Sequence, residues 1–318
     1  MMNVRPNYHD GEIGAIVAHK QAIRQIKGND YYRIPTDINE SEAIPLARLS
    51  QARLEELSNI VSLKDKEVLK AISDCHYLMT RQIQRLLFFN SSTPSACMTA
   101  ATRALKKLKS YGLIDTFKRR IGGVRAGSAS FVWHLTEGGI RFLNLQNEDN
   151  TSRKRFLEPS YAFMQHTLSV AECYIRIVEL CRDNNSLSLK TVEFEPDCWR
   201  RYIYSNLNSS LNPDLFIATR YGEYEDRWFI EIDLSTESVQ AILAKCERYH
   251  QYYRTSAEQK ANGVYPVTLW IVPDLKRKNK LESKIKHEYA NKVKLFRVIT
   301  MDELDGIIVN GCDPNTLY

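Results

Sequence analysis

No apolar run in this chain approaches the roughly 20 residues that a membrane-spanning helix needs, so a spanning protein is not expected. The opening, MMNVRPNYHDGE, lacks the apolar stretch of a secretory signal, and a cytoplasmic protein is expected. Seven cysteines, at 75, 97, 173, 181, 198, 246 and 312, include no CxxC pair and no Cys/His spacing suited to zinc. Their scatter among apolar neighbours predicts free, buried thiols in a reducing compartment. The stretch IGGVRAGSA is glycine-rich but does not match GxGxxG, and no helix follows it, which excludes a phosphate-cradling loop.

Charge is what the chain does have, and it is local. The net charge is +6, yet the window from Thr93 to Arg125 alone carries eight basic residues against Asp115, so the rest of the chain is close to neutral. That window falls in a recognisable order of elements. LKDKEVLKAIS and TRQIQRLLF read as two helices. TPSACMTAATRALKKLKSYG reads as a third, with Thr93 as cap, Pro94 in the first turn and Gly112 as stop. On it Met98, Ala101, Leu105 and Leu108 share an inner face. Ser95, Thr99, Thr102, Arg103, Lys106, Lys107 and Lys109 fall largely away from that face. LIDTFKRR and SFVWHLT then read as two strands of a hairpin bearing Lys118, Arg119, Arg120 and Arg125, and Thr136 as the cap of a further helix. Three helices and a basic hairpin make a winged helix-turn-helix. A polar, basic outer face is what a helix lying in a DNA major groove needs. The alternative is an interaction module whose charged helix is merely solvated.

Residues 1–62 form an N-terminal extension with two helical patterns, Ile13 to Ile26 and Leu46 to Val61, expected to pack on the domain that follows. The winged helix-turn-helix occupies 63–145, and the polar, irregular stretch 146–159 reads as a linker. Residues 160–318 then run as helix, three strands, helix, strand, helix, strand, the order of an α/β restriction-endonuclease-like core. The fold class expected is therefore an α+β winged helix-turn-helix followed by that α/β domain.

Within it, NPDLFIATR and RWFIEIDL place Asp214 and Glu231 as the acidic residues of a PD-(D/E)xK site, but Asp233 stands where the lysine belongs. Hydrolysis of a phosphodiester with magnesium needs hard oxygen ligands and a cation near the phosphate. Asp214, Glu231, Asp233 and Glu172 are the candidate metal ligands; Lys245, bordering the apolar stripe of the next helix, is the candidate cation. Lys245 serves equally as a structural partner of Asp233 or Glu231. His166 reads as a core histidine, Tyr249, Tyr252 and Tyr253 as core aromatics, and DLKRKNK (274–280) as a solvated loop.

The run LKKLKSYGLID…FVWHLTEGGIRFL, followed in order by QHTLSVAE, PDLFIA, FIEIDLSTES and KCERYHQYY, resembles the plasmid replication-relaxation family. The resemblance covers roughly residues 63–300. It implies a double-stranded-DNA-binding accessory factor of a mobile element, acting in relaxation, mobilisation or replication initiation with a relaxase or replication protein, as a homodimer or not. Two alternatives stay open beside it: a Mg- or Mn-dependent endonuclease or nickase using Asp214, Glu231 and Lys245, and a winged-helix repressor. DNA binding itself requires no cofactor, and magnesium or manganese enters only if the nuclease-like site is live.

Overall fold

Helix α1 (Gln51–Ile60) buries Leu54 and Leu57, and α2 (Leu63–Cys75) buries Val68, Leu69 and Ile72. The computed structural model describes residues 48–118, 130–146, 159–312 and 314–318, all within one compact unit, Leu46–Tyr318. The expected helix over 13–26, most of the linker, and Arg119, Arg120 and Arg125 lie outside the described residues.

Local chemistry fixes the next elements. Ser62 and Asp65 form a reciprocal capping box at the start of α2. After strand β1 (Leu78–Met79) and α3 (Thr80–Leu87), Thr93 caps α4 (Pro94–Ser110) by accepting a hydrogen bond from the Ala96 N–H at 3.1 Å. Gly112, at φ +74°, ends the helix with a left-handed turn that a side chain would disfavour. Strands β2 (Ile114–Thr116) and β3 (Val132–Leu135) then form an antiparallel sheet in the order β1-β3-β2. Thr136 caps α5 (Glu137–Leu143). A Cβ on Gly139 would lie 2.0 Å from the Leu113 carbonyl oxygen, so glycine here lets α5 close down on the sheet. The helices and the β2–β3 hairpin fall where periodicity and capping residues place them; β1, two residues long, was not expected.

The second sheet has the order β10-β9-β8-β7-β4 and is mixed. Strands β4 (Leu187–Phe194), β7 (Leu215–Tyr221) and β8 (Tyr224–Ile232) pair antiparallel; β8, β9 (Val267–Val272) and β10 (Phe296–Thr300) pair parallel. Covered on both faces, its central strands carry short apolar runs where they are buried, LFIA in β7, WFI in β8 and LWIV in β9. Leu215, Ile217, Trp228, Ile230 and Leu269 meet α6 (Tyr161–Asp183) and α10 (Leu304–Asn310). Phe216, Phe229, Trp270 and Phe296 meet α7 (Val239–Arg254) and α9 (Leu275–Glu288). A hairpin, β5 (Arg200–Tyr204) with β6 (Leu207–Leu211), is inserted before β7, and the short α8 (Ala257–Asn262) follows α7. The polar β6 sequence, LNSSL, carries no strand signal. Residues 275–280, expected as loop, are instead the first turns of α9: Asp274 accepts from the Arg277 N–H at 2.7 Å, and Leu281 and Ile285 are buried.

Helix α6 joins the two parts. Ala171 and Ile175 pack with the N-terminal helices, while Val170, Cys173 and Ile177 pack on the sheet. The Gln82 amide donates to the Leu168 carbonyl at 3.0 Å, and the Arg182 guanidinium to the carbonyls of Arg85 and Leu86. No helix among the described residues is long and apolar enough to cross a membrane.

Candidate functional site

Two regions bear on function. The first is α4. Cys97, Ala101, Leu105 and Leu108 are buried, with Met98 only half-buried, and each buried leucine contributes about 1.5–3 kcal/mol to anchoring the helix. Ser95, Thr99, Arg103 and Lys106 recur at helical spacing on the opposite, exposed face. Arg103 and Lys106 form no ion pair with any described residue. The other basic side chains of the helix are committed. Lys107 pairs with Asp65, which is only 2% exposed and completes the α2 capping box, so Lys107 supports the fold. Lys109 reaches Asp115 at 2.6 Å. Thr102 turns its hydroxyl back to the Met98 carbonyl at 2.8 Å. Lys118 is exposed at the end of β2.

The second region lies on the α7/α9 face of the large sheet. Pairing of β7 with β8 sets Leu215 against Ile230, and the same register continued by one residue sets Asp214 against Glu231. Two carboxylates opposed across a sheet repel. Asp214 Oδ2 accepts from the Ile232 N–H at 2.7 Å, and its Oδ1 lies 3.2 Å from His166 Nε2 on α6. Glu231 Oε1 accepts from the Tyr249 hydroxyl at 2.7 Å; its Oε2 lies 3.4 Å from Lys245 Nζ, which also meets Glu237 at 3.1 Å.

Burial first, and then the Asp214 charge, push Glu231 up to about 8 against the pull of Lys245 and Tyr249. The same two causes raise Glu195, at the end of β4, to about 7. Burial alone would lower His166 and Lys245. For His166 the Asp214 carboxylate outweighs it, and for Lys245 the charges of Glu231, Asp214 and Glu237 do; both are held above their ordinary values.

Asp214, Glu231 and Lys245 are thus brought together, the lysine arriving from α7 rather than from β8. The other two acids are held elsewhere. Asp233 shares the Glu231 face, but the Arg277 guanidinium holds it at 2.6 Å and the Ser235 N–H at 2.9 Å. Glu172 is taken by Arg85 and, at 3.1 Å, by Gln82. His166, read as a hydrogen-bonded core histidine, does find a partner, but the partner is Asp214 of the acidic cluster, which Glu195 also adjoins. A strand-end acid in VEFEP was the only hint of the latter.

A magnesium or manganese ion fits this arrangement poorly. All four oxygens of Asp214 and Glu231 already face donors of the protein. Glu231 is only 2% exposed. Among the described residues no three His, Cys, Asp or Glu side chains are arranged to hold a metal ion. What the cluster does as folded is tie α6, β7, β8 and α7 to one another.

The molecule is a mixed α+β protein in which a helix-and-hairpin unit with an exposed basic stripe shares one helix with a mixed sheet. Residues 69–268, well over half of the chain, match the replication-relaxation family, and the chain belongs to that family. No curated protein matches it. Among solved structures it is similar to the restriction endonuclease FokI bound to DNA, at 14% identity and a TM-score of 0.24, over 83% of this chain and 46% of that one. The chain spans about half the length of that structure, and a likeness at this score carries no argument.

Proposed function

We propose that this protein is a duplex-DNA-binding accessory factor for replication or relaxation of a mobile element, with α3 and α4 as its helix-turn-helix and the β2–β3 hairpin as its wing. One observation carries the reading: Ser95, Thr99, Arg103 and Lys106 form an exposed stripe directly behind a buried apolar face, with both cations unpaired among the described residues. A cation held in solvent on a rigid helix is available to phosphate and to base edges. In the sequence, Lys118 is followed by Arg119, Arg120 and Arg125 in the segment that joins β2 to β3. The family's description, replication-relaxation, supports the biological setting; the partner we propose there is a relaxase or a replication protein.

The element order from α6 through β10 supports a PD-(D/E)xK-like second domain, with Asp214, Glu231 and Lys245 in the positions of its acids and cation. One contact favours a nuclease as second reading: Lys245 reaches Glu231 beside Asp214. The saturated carboxylates favour a scaffold instead. The deciding experiment is capture of fragments of the element's own DNA, followed by footprinting. A discrete protected site that disappears on Arg103→Glu/Lys106→Glu is expected; protection unaffected by that change would refute the assignment of α4.

A further inference from the structure

Helix α9, LKRKNKLESKIKHE, carries six lysine and arginine side chains against two glutamates, and it lies far along the chain from α4. Three of the six are accounted for by the fold. Arg277 holds Asp233, Lys278 pairs with Glu303, and Lys286 meets Glu282 at 2.8 Å. Lys276, Lys280 and Lys284 are exposed and pair with no described residue.

They stand four residues apart, so each is the neighbour of the next on the helix surface, a like-charge spacing that disfavours an isolated helix. A merely solvated face intersperses acids at these distances. Around Lys280 the residues three and four away are Lys276, Arg277, Ser283 and Lys284. Glu288 is four residues beyond Lys284 but does not pair with it. Lys280 and Lys284, with Arg277, His287 and Glu288, form one wall of a groove of about 520 Å³ whose other wall is the first turn of α7. The acid on that wall, Glu237, is already matched by Lys245.

We propose that the Lys276–Lys280–Lys284 stripe of α9 is a second contact for a nucleic-acid phosphate backbone, separate from α4. It rests on the DNA-binding reading above and adds a second surface to it. Eight residues of helix rise about 12 Å, the distance over which one strand of a duplex presents about three to four phosphates. Lysine ammonium groups are point charges suited to phosphate and carry no base specificity, so this contact adds affinity for any sequence.

The test uses the full chain and a fluorescent mixed-sequence duplex of about 40 base pairs, long enough at about 3.4 Å per step to meet both surfaces. Anisotropy is read across a salt series. Lys276→Gln/Lys280→Gln/Lys284→Gln is expected to weaken binding about tenfold or more and to reduce the slope of log affinity against log salt by roughly two to three. The corresponding triple arginine variant keeps the charge and is expected to retain the wild-type slope, and a thermal scan checks that both fold. Arg103→Glu/Lys106→Glu is measured beside them. If that variant abolishes binding while the glutamine variant keeps full affinity and slope, the α9 contact is wrong and the α4 reading stands. If the glutamine variant alone loses binding, the α9 contact stands and the α4 reading falls. A wild-type chain that binds no duplex overturns both.

Discussion

On α4, Arg103 and Lys106 stand in solvent with no ion-pair partner among the described residues, while at Asp214 and Glu231 every carboxylate oxygen already faces a donor from the protein. Both regions could be picked from the sequence as places where charge is concentrated. The difference lies in what the fold does with that charge. Cations left unmatched on a rigid surface cost little there and remain available to a partner. Buried acids left unmatched would be costly, so donors of the protein match them.

That contrast is open to direct attack, most strongly at α4. Replacing Arg103 and Lys106 by Glu should lower duplex affinity by about 100-fold or more and leave the unfolding midpoint nearly unchanged, since neither side chain supports the fold. Anisotropy and thermal scanning together read both; a large fall in stability would mean that the stripe is structural. The acidic cluster should answer in the opposite sense. Asp214→Ala strands the Ile232 N–H and removes the partner of His166, so a loss of about 2–4 kcal/mol is expected in urea unfolding, with duplex binding kept once folded.

A pH series sharpens the same point. The Glu231 carboxyl is raised from 4.5 to about 8 in the folded protein, so between those values the folded state holds a proton that the unfolded chain releases. Its contribution to stability is therefore fully present below about 4.5 and is lost as pH rises through about 8. Glu231→Gln, which mimics the protonated form, should gain on the wild type by roughly 3–4 kcal/mol from pH 5 to pH 8. A difference that stays flat over that window would mean that Glu231 is ionised throughout. The smallest effect belongs to Lys107, which tests the boundary between the two behaviours. It lies on α4 but serves Asp65, so Lys107→Ala should cost about 1 kcal/mol of stability. Its effect on affinity should be far smaller than that of Arg103.

How far these roles were legible follows from the range of the interactions. The Thr93–Pro94 start, the Gly112 stop and the inner face of α4 are local signals, and the sequence carries them openly. Asp214 and Glu231 were likewise readable, because strand alternation and a short turn place them across from each other. The partners were not. Lys107 finds Asp65 on another helix, Glu172 is taken by Arg85, His166 meets Asp214, and Asp233 is held by Arg277 from the first turn of α9, where a loop was expected. Spacing along one element says which side chains share a face; it does not say which distant element will cover that face. Tyr249 illustrates both halves: its ring is core, as its helical spacing predicts, while its hydroxyl serves Glu231.

The most direct test of the contrast is incubation of the purified full chain with supercoiled DNA bearing its own binding site, with magnesium and then manganese, while binding is followed in parallel. The protein is expected to bind and the DNA to remain supercoiled, because the acids at the heart of the second sheet are engaged in holding the fold. Nicking or linearisation that requires the metal and disappears alike in Asp214→Ala, Glu231→Ala and Lys245→Ala would contradict it, and would make Lys245 the cation of a working nuclease site.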